Sequence, residues 1–179
     1  MPDIARRSAL LATLAAMALL LALLLTLFLI FGTAGCTQRS AAPAFDYTLL
    51  DGTRGSSQAL RGKVVLLNFW ATSCATCVKE MPQIVATHQQ FKGRGFETLA
   101  VAMRYDPPAL VANFAERRRL PFGVVIDNTG AIARSFDDVQ LTPTTVLIDK
   151  RGAIVKRWVG EPDFAALQAL VAQLLAEPA

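Results

Sequence analysis

Two cysteines separated by two residues lie between a strongly apolar segment and a segment with helical spacing of its apolar residues. The apolar segment runs from Val64 to Phe69, and the helix-like segment extends from Cys74 through Cys77 to about Phe91. A cysteine at a helix N-terminus faces unpaired backbone N–H groups and the positive end of the helix dipole, which favour its thiolate. Because the thiolate is the species that attacks disulfides, this arrangement indicates thiol–disulfide exchange.

Two other functions fit a Cys-x-x-Cys pair. A metal site of ordinary kind needs about four ligands. The chain has one histidine, His88, which we interpret as structural, and Cys36 belongs to the N-terminal segment. We therefore predict no metal site and no cofactor, although copper(I) bound by the two thiolates is an alternative. A purely structural disulfide is disfavoured because so small a ring constrains the unfolded chain very little.

The N-terminal segment has the pattern of a membrane anchor. After Arg6 and Arg7 no charged residue occurs before Arg39, and residues 10–31 form an apolar run of 22 residues. A helix of about 20 apolar residues crosses a bilayer. The paired arginines predict that the N-terminus stays in the cytoplasm and that the rest is exported. We therefore expect a bacterial protein with residues 1–35 as signal or transmembrane anchor and its domain in the oxidising periplasm or at the cell exterior.

Cys36 leaves two forms of this anchor open. The preceding residues, Gly32 to Gly35, resemble the small-residue motif at which bacterial lipoprotein signals are cleaved and their cysteine is lipidated. Against lipidation, Thr33 stands where leucine is usual, and the apolar run exceeds the roughly 7–15 residues of a signal core. The alternative is an uncleaved anchor. Residues 36–44, small and polar with a proline, are predicted to be a linker.

Residues 45–179 have the size of one domain. We expect a central mixed β-sheet flanked by helices, because strands and helices alternate before a final hairpin and helix. From Ala41 onward, 15 Lys and Arg stand against 13 Asp and Glu, which does not indicate a nucleic-acid-binding protein. The main predicted elements are strands 64–69, 96–103 and 120–126, helices 74–91, 108–119 and 130–136, the hairpin 144–159 and the helix 164–175.

Two segments together resemble a known family. Residues 70–82, WATSCATCVKEMP, look like the active-site motif of thioredoxin-fold proteins of the membrane-tethered TlpA/ResA type. Residues 141–149, LTPTTVLID, resemble the proline segment and following hairpin of the same family. The resemblance implies an α/β thioredoxin-like fold, with Pro143 cis and facing the cysteines. It also implies a thiol–disulfide oxidoreductase outside the cytoplasm, often a reductant in cytochrome c maturation.

The resemblance also implies roles for individual residues. Cys74 would attack the partner disulfide and Cys77 would resolve the mixed disulfide, with Glu80 carrying its proton. Pro143 would shape the groove in which the partner backbone docks. From their positions beside these motifs, Thr142 and Trp70 are the predicted substrate contacts. For Trp70 the alternative is packing in the core, which is the usual place of a tryptophan next to a strand.

The predicted partners are protein dithiols and disulfides, apocytochrome c among them, and a transmembrane thiol-reductant donor. Two departures from relatives bear on the direction of electron flow. Ala75-Thr76 separates the cysteines where many relatives have a proline before the second cysteine, and Asn68 stands where thioredoxin has a buried aspartate. We predict a protein disulfide reductase. The alternatives are a disulfide-donating oxidase of secreted proteins and a copper(I)-binding or redox-sensing thiol module.

Overall fold

The computed structural model describes residues 17, 19–21 and 39–178. The chain divides into two compact units, residues 1–38 and residues 39–179. Of the first unit, Met17 and residues 19–21 are helical. No helix formed by the described residues is long and apolar enough to span a bilayer. Most of the predicted anchor, and also Cys36, lie outside the described residues, so the anchor and the lipidation of Cys36 stay predictions.

The second unit alternates strands and helices in the predicted order. Every main predicted element is present, with ends that differ by at most about three residues. In chain order the elements are β1 (Asp46–Thr48), β2 (Arg54–Ser56), a 3-10 helix (Ser57–Leu60), β3 (Val64–Trp70), α1 (Ala75–Phe91), β4 (Phe96–Ala102), α2 (Pro108–Arg118), β5 (Gly123–Ile126), α3 (Ala131–Ser135), β6 (Thr144–Ile148), β7 (Ile154–Val159) and α4 (Phe164–Ala176).

The larger sheet is mixed, and β3 is its central strand. Its five strands lie in the order β5-β4-β3-β6-β7. Strands β3, β4 and β5 are parallel, whereas β6 and β7 are antiparallel to their neighbours. All seven residues of β3 are buried, as expected for an apolar strand with neighbours on both edges and helices over the sheet. The mixed sheet predicted from the sequence is confirmed.

Two apolar cores cover the two faces of this sheet. On one face α1, α2 and α4 pack over β3 and β4, with Trp70, Met81 and Leu167 among the buried residues. On the other face α3 and the N-terminal strands pack around Phe69 and Phe136, whose ring centroids are 5.7 Å apart. Because the parallel strands β3 and β4 end at the same edge, the cysteine loop after β3 lies beside the loop after β4.

The N-terminal part of the unit pairs with the final hairpin. The Ala42 N–H donates to the carbonyl of Gly152 (2.9 Å), and the Ile154 N–H donates to the carbonyl of Ser40 (2.7 Å). Residues 39–42, part of the predicted linker, are therefore hydrogen-bonded to the domain. Strand β2 was not predicted, because Arg54-Gly55-Ser56 is polar. Its Gly55 lies against the ring of Tyr47, where a side chain would not fit.

Candidate active site

The cysteine pair lies where β3 passes into α1. Cys74 is the N-cap residue of α1, and its Sγ accepts a hydrogen bond from the N–H of Cys77 (3.1 Å). The two cysteines form a disulfide with a Cα–Cα distance of 5.2 Å. Cys77 is fully buried and Cys74 is half-buried. Cys74 is therefore the more accessible of the two cysteines and lies at a helix N-terminus, where backbone N–H groups favour a thiolate. Its role as the attacking cysteine stays a prediction.

A buried carboxylate from the loop after β4 holds the loop that leads to Cys74. Asp106, only 2% exposed, accepts hydrogen bonds from the Thr72 N–H (2.6 Å) and from the Thr72 hydroxyl (2.5 Å). Thr72 is two residues before Cys74. Asp106 is therefore a positioning residue, since it acts on the nucleophile through the loop. No local sequence pattern singles out Asp106; the signal is that parallel strands ending at one edge bring the loops after them together.

Glu80 lies in the buried interior beneath the cysteine pair. It is three residues after Cys77 in α1, so the two side chains share one helix face. Both are 0% exposed. The side-chain amide of Asn68 donates to Glu80 Oε1 (3.1 Å) and to the hydroxyl of Thr145 (3.0 Å). This polar cluster connects α1 with the adjacent strands β3 and β6.

Burial brings the pKa of Glu80 close to neutral pH. Loss of solvent raises the pKa of Glu80 from 4.5 to about 7, while the hydrogen bond from Asn68 opposes this rise and the charge of Glu161 adds to it. Glu80 Oε2 and Asn68 Oδ1 are buried without a hydrogen-bond partner among the described residues. Because an unsatisfied buried charge is costly, a proton on Glu80 is favoured more strongly than in water.

The Pro143 segment is at the same end of the sheet. Thr144 pairs with Phe69 in adjacent antiparallel strands, which places Pro143 near the end of β3 that leads to Cys74. The Thr142–Pro143 peptide bond is cis, as the resemblance implies. Thr142 is half-buried, and its hydroxyl shares a hydrogen bond of 3.3 Å with the hydroxyl of the exposed Tyr105. Thr142 is thus accessible at this edge, and its contact with substrate stays a prediction.

Two other residues singled out in the sequence are core residues. Trp70 is 0% exposed and packs against Phe114, with ring centroids 5.1 Å apart. The predicted contact of Trp70 with substrate is therefore corrected, because the last residue of β3 points into the core beneath the loop. His88 is 6% exposed, lies 3.2 Å from the Thr98 hydroxyl, and has a pKa lowered by burial. It is structural, as interpreted from the sequence.

Comparison with known proteins assigns the family. The family model described as Redoxin matches residues 37–171. The chain belongs to the Redoxin family. Among curated proteins, the thiol-disulfide oxidoreductase ResA of Bacillus thuringiensis subsp. konkukian is 37% identical over 120 residues, which cover 67% of this chain and 68% of that protein. ResA of Geobacillus kaustophilus is 41% identical over 115 residues, which cover 64% of this chain and 65% of that protein.

A solved structure identifies the fold of this Redoxin-family chain. A thiol:disulfide interchange protein of the thioredoxin family from Chlorobium tepidum superposes with a TM-score of 0.72 at 27% identity. The match covers 78% of this chain and 99% of that one. The fold is thioredoxin-like, and the chain is a thiol–disulfide oxidoreductase of the ResA type whose Cys74 and Cys77 close as a disulfide.

Replacing Asp106 with Ala is expected to loosen the loop that carries Cys74. The Thr72 N–H and hydroxyl lose their charged acceptor, so the free energy of unfolding should fall by about 2 kcal/mol and disulfide reduction should slow. Asp106→Asn keeps an oxygen that accepts from the Thr72 N–H, so its free energy of unfolding should fall by about half as much. Urea denaturation and steady-state rates measure both effects. Equal stability and rates in wild type and Asp106→Ala would contradict a positioning role.

Proposed function

We propose that this protein is a membrane-tethered, extracytoplasmic protein disulfide reductase. In its reduced form the Cys74 and Cys77 dithiol would transfer two electrons to a disulfide in a partner protein. A thiol-reductant donor in the membrane would then return the enzyme to its dithiol form. The proposed partners are exported proteins with a disulfide, apocytochrome c among them, in line with the ResA-type resemblance.

The proposed exchange proceeds in two steps. The Cys74 thiolate attacks one sulfur of the partner disulfide, so that a mixed disulfide forms and the other partner sulfur leaves as a thiolate and takes a proton. Cys77 then gives its proton to Glu80 and attacks the Cys74 sulfur. The Cys74–Cys77 disulfide forms, and the second partner sulfur leaves as a thiolate. The partner gains two electrons, and the enzyme loses two.

The burial of Glu80 beside Cys77 is the observation that favours a reductase. A fully buried thiol next to a carboxylate resists ionisation, because both burial and the negative charge disfavour its thiolate. A dithiol form that lacks thiolate stabilisation gives up its electrons more readily, whereas a strongly oxidising protein has a stabilised reduced form. Glu80 is fully buried and its pKa is raised to about 7. It therefore also accepts and returns a proton near neutral pH.

The membrane tether is supported by the sequence alone. The apolar run of residues 10–31 is long enough to span a bilayer, and Arg6 and Arg7 before it are the charges expected on the cytoplasmic side of an anchor whose following domain is exported. Cys36 offers a lipid anchor as the second form of the same tether. The mass of the mature N-terminus distinguishes a cleaved lipoprotein from an intact anchor.

A disulfide-donating oxidase is the second candidate function. The hydrogen bond from the Cys77 N–H to the Cys74 sulfur favours it, because this bond would stabilise the Cys74 thiolate and hence the reduced form. Thiolate stabilisation at Cys74 thus favours the oxidase, whereas a disfavoured thiolate at Cys77 favours the reductase. The balance of these two effects fixes the reduction potential.

The equilibrium reduction potential of the Cys74–Cys77 pair tests the proposal. We expect a value near or below that of thioredoxin, about −270 mV, and far from that of DsbA, about −120 mV. Equilibration in glutathione or dithiothreitol buffers, followed by quantitative thiol trapping, gives this value. A potential near that of DsbA would replace the reductase by the oxidase. A copper(I)-binding module would instead bind copper(I) with high affinity and fail to reduce insulin disulfides.

A further inference from the structure

A groove follows one face of α2 and begins at the loop that carries Cys74. Thr72 lines its near end. Since Thr72 precedes Cys74 by two residues, their Cα atoms are at most about 7.6 Å apart. The other lining residues are spaced by three and four positions along α2, so they share one helix face. They are Leu110, Asn113, Phe114, Arg117 and Arg118. We call this surface the α2 groove.

The α2 groove changes from apolar to cationic along its length. Leu110, near the active-site end, is 51% exposed. Arg117 and Arg118 lie at the far end, both exposed, and neither takes part in an ion pair within residues 39–178. The Arg118 guanidinium lies 5.7 Å from the centre of the Phe114 ring, which holds the charge over the groove. No carboxylate lines the groove.

Favourable interaction with the helix dipole is an alternative explanation for these arginines. They occupy the last turn of α2, where positive charge is stabilising. The dipole explains why the charges of Arg117 and Arg118 are positive. It does not explain why these two arginines, without acidic partners, share a groove with the exposed Leu110. The groove also starts beside the reactive sulfur. A test therefore needs a control at another helix C-terminus.

We propose that the α2 groove binds an acidic segment of the partner protein close to the partner's reactive cysteine. This inference rests on the proposed exchange at Cys74, because the groove is used by a partner that is docked there. The apolar near end contacts the residues next to the partner cysteine. The arginines at the far end pair with carboxylates, preferably bidentately. The site thus selects partners by the charge of one flanking segment.

The length of the groove sets the position of the acidic residues. From Leu110 to Arg117 the helix rises by about 10 Å. Arginine side chains lean toward the helix N-terminus, which shortens the distance to Cys74. An extended peptide covers about 3.3 Å per residue. The acidic residues are therefore expected about three to six positions from the partner's reactive cysteine.

The test compares disulfide peptides that differ only in charge. Each peptide carries one disulfide and, three to six positions from one cysteine, a run of Glu, of Gln or of Lys. Wild type is compared with Arg117→Glu/Arg118→Glu, with the milder Arg117→Gln/Arg118→Gln, and with Lys92→Glu/Arg94→Glu. The last variant makes the same charge change beyond the C-terminus of α1, at the opposite end of the sheet. Circular dichroism checks that each variant is folded.

We expect wild type to act on the Glu peptide with a kcat/KM about tenfold higher than on the Gln peptide, mainly through KM. This ratio should shrink as salt rises. It should disappear in the Gln variant, and the Glu variant should prefer the Lys peptide. The α1 control should keep the wild-type preference. A preference that is absent in wild type, or unchanged in both arginine variants, would overturn the inference.

Rates are measured in both directions, with disulfide peptides and with their dithiol forms. A Glu preference seen only in dithiol oxidation would support the α2 groove and overturn the reductase direction. Efficient reduction of all three peptides at equal rates would overturn the groove and leave the reductase standing. The two proposals therefore fail by different outcomes.

Discussion

Replacing Cys77 with Ser is expected to convert the enzyme into a covalent trap for its partners. Cys74 remains half-buried at the N-terminus of α1 and can still attack a disulfide. The mixed disulfide then persists, because the buried thiol that would attack it has gone. Turnover should fall to the uncatalysed rate. Non-reducing electrophoresis of extracytoplasmic extracts should show adducts that dithiothreitol releases.

The order of the two cysteines is tested by the matching variant. Cys74→Ser leaves Cys77 as the only thiol of the pair, and Cys77 is fully shielded from solvent. We expect no adducts from Cys74→Ser, and equal loss of turnover in both variants. Adducts that form through Cys77 and not through Cys74 would reverse the assignment of attacking and resolving cysteine.

Replacing Glu80 with Gln is expected to slow disulfide exchange about a hundredfold at pH 7, within the range for loss of a general acid–base group. Glu80 has a pKa raised to about 7, chiefly by burial. In the proposed mechanism the carboxylate form accepts the Cys77 proton, so the wild-type rate should rise with pH through about 7. In Glu80→Gln this rise should move toward the pKa of the cysteine itself. Pre-steady-state rates between pH 5 and about 9 measure the shift.

The same variant should change how stability depends on pH. The folded-state pKa of about 7 is higher than the ordinary value of 4.5, so the native state binds more protons than the unfolded state between these values. The free energy of unfolding therefore falls as pH rises through this interval. Below pH 4.5 both states are protonated, and above about pH 7 the destabilisation is complete. The destabilisation should amount to about 3 kcal/mol.

Glu80→Gln should remove this pH dependence and be more stable than wild type above pH 7. Urea denaturation of the disulfide form at several pH values measures it. Glu116→Gln is the matched control, because Glu116 is exposed on α2 and its replacement should leave both pH profiles unchanged. Burial lowers the pKa of His88 below its ordinary 6.5, which makes stability rise with pH in part of the same interval, so the Glu80 contribution is the difference between wild type and Glu80→Gln. A difference that stays constant between pH 4.5 and 7 would show that Glu80 does not titrate in this interval.

The local pattern of the sequence was sufficient for most elements of the fold. Strand β3 was predictable because six of its seven residues are apolar, and helix α1 because its apolar residues recur every three to four positions. Strand β2 was not predictable, since Arg54-Gly55-Ser56 has no apolar side chain and forms a strand only through pairing with β1. Residues 39–42 were likewise predicted to be a linker, because their hydrogen-bond partners lie in a turn more than a hundred positions away in sequence.

The position of a side chain relative to solvent was the least predictable property. Trp70, four residues before Cys74, fitted either the core or the active-site surface on sequence grounds, and it lies in the core, where Phe114 of α2 covers it. Asp106 was overlooked because its partner Thr72 is 34 positions away in sequence. Contacts of this kind depend on which strands become neighbours, and local spacing does not specify that.

The sequence by itself determined the chemistry: two cysteines two residues apart, between a central strand and a helix, form a dithiol that exchanges with disulfides. It also supplied a carboxyl one helical turn beyond Cys77. Only the tertiary structure decided the environment of that carboxyl. Glu80 is fully buried, and within residues 39–178 the side chain that donates a hydrogen bond to it is Asn68 of β3. A pKa depends on desolvation and on neighbours that are distant in sequence, so folding, rather than the order of residues, moves Glu80 to about 7.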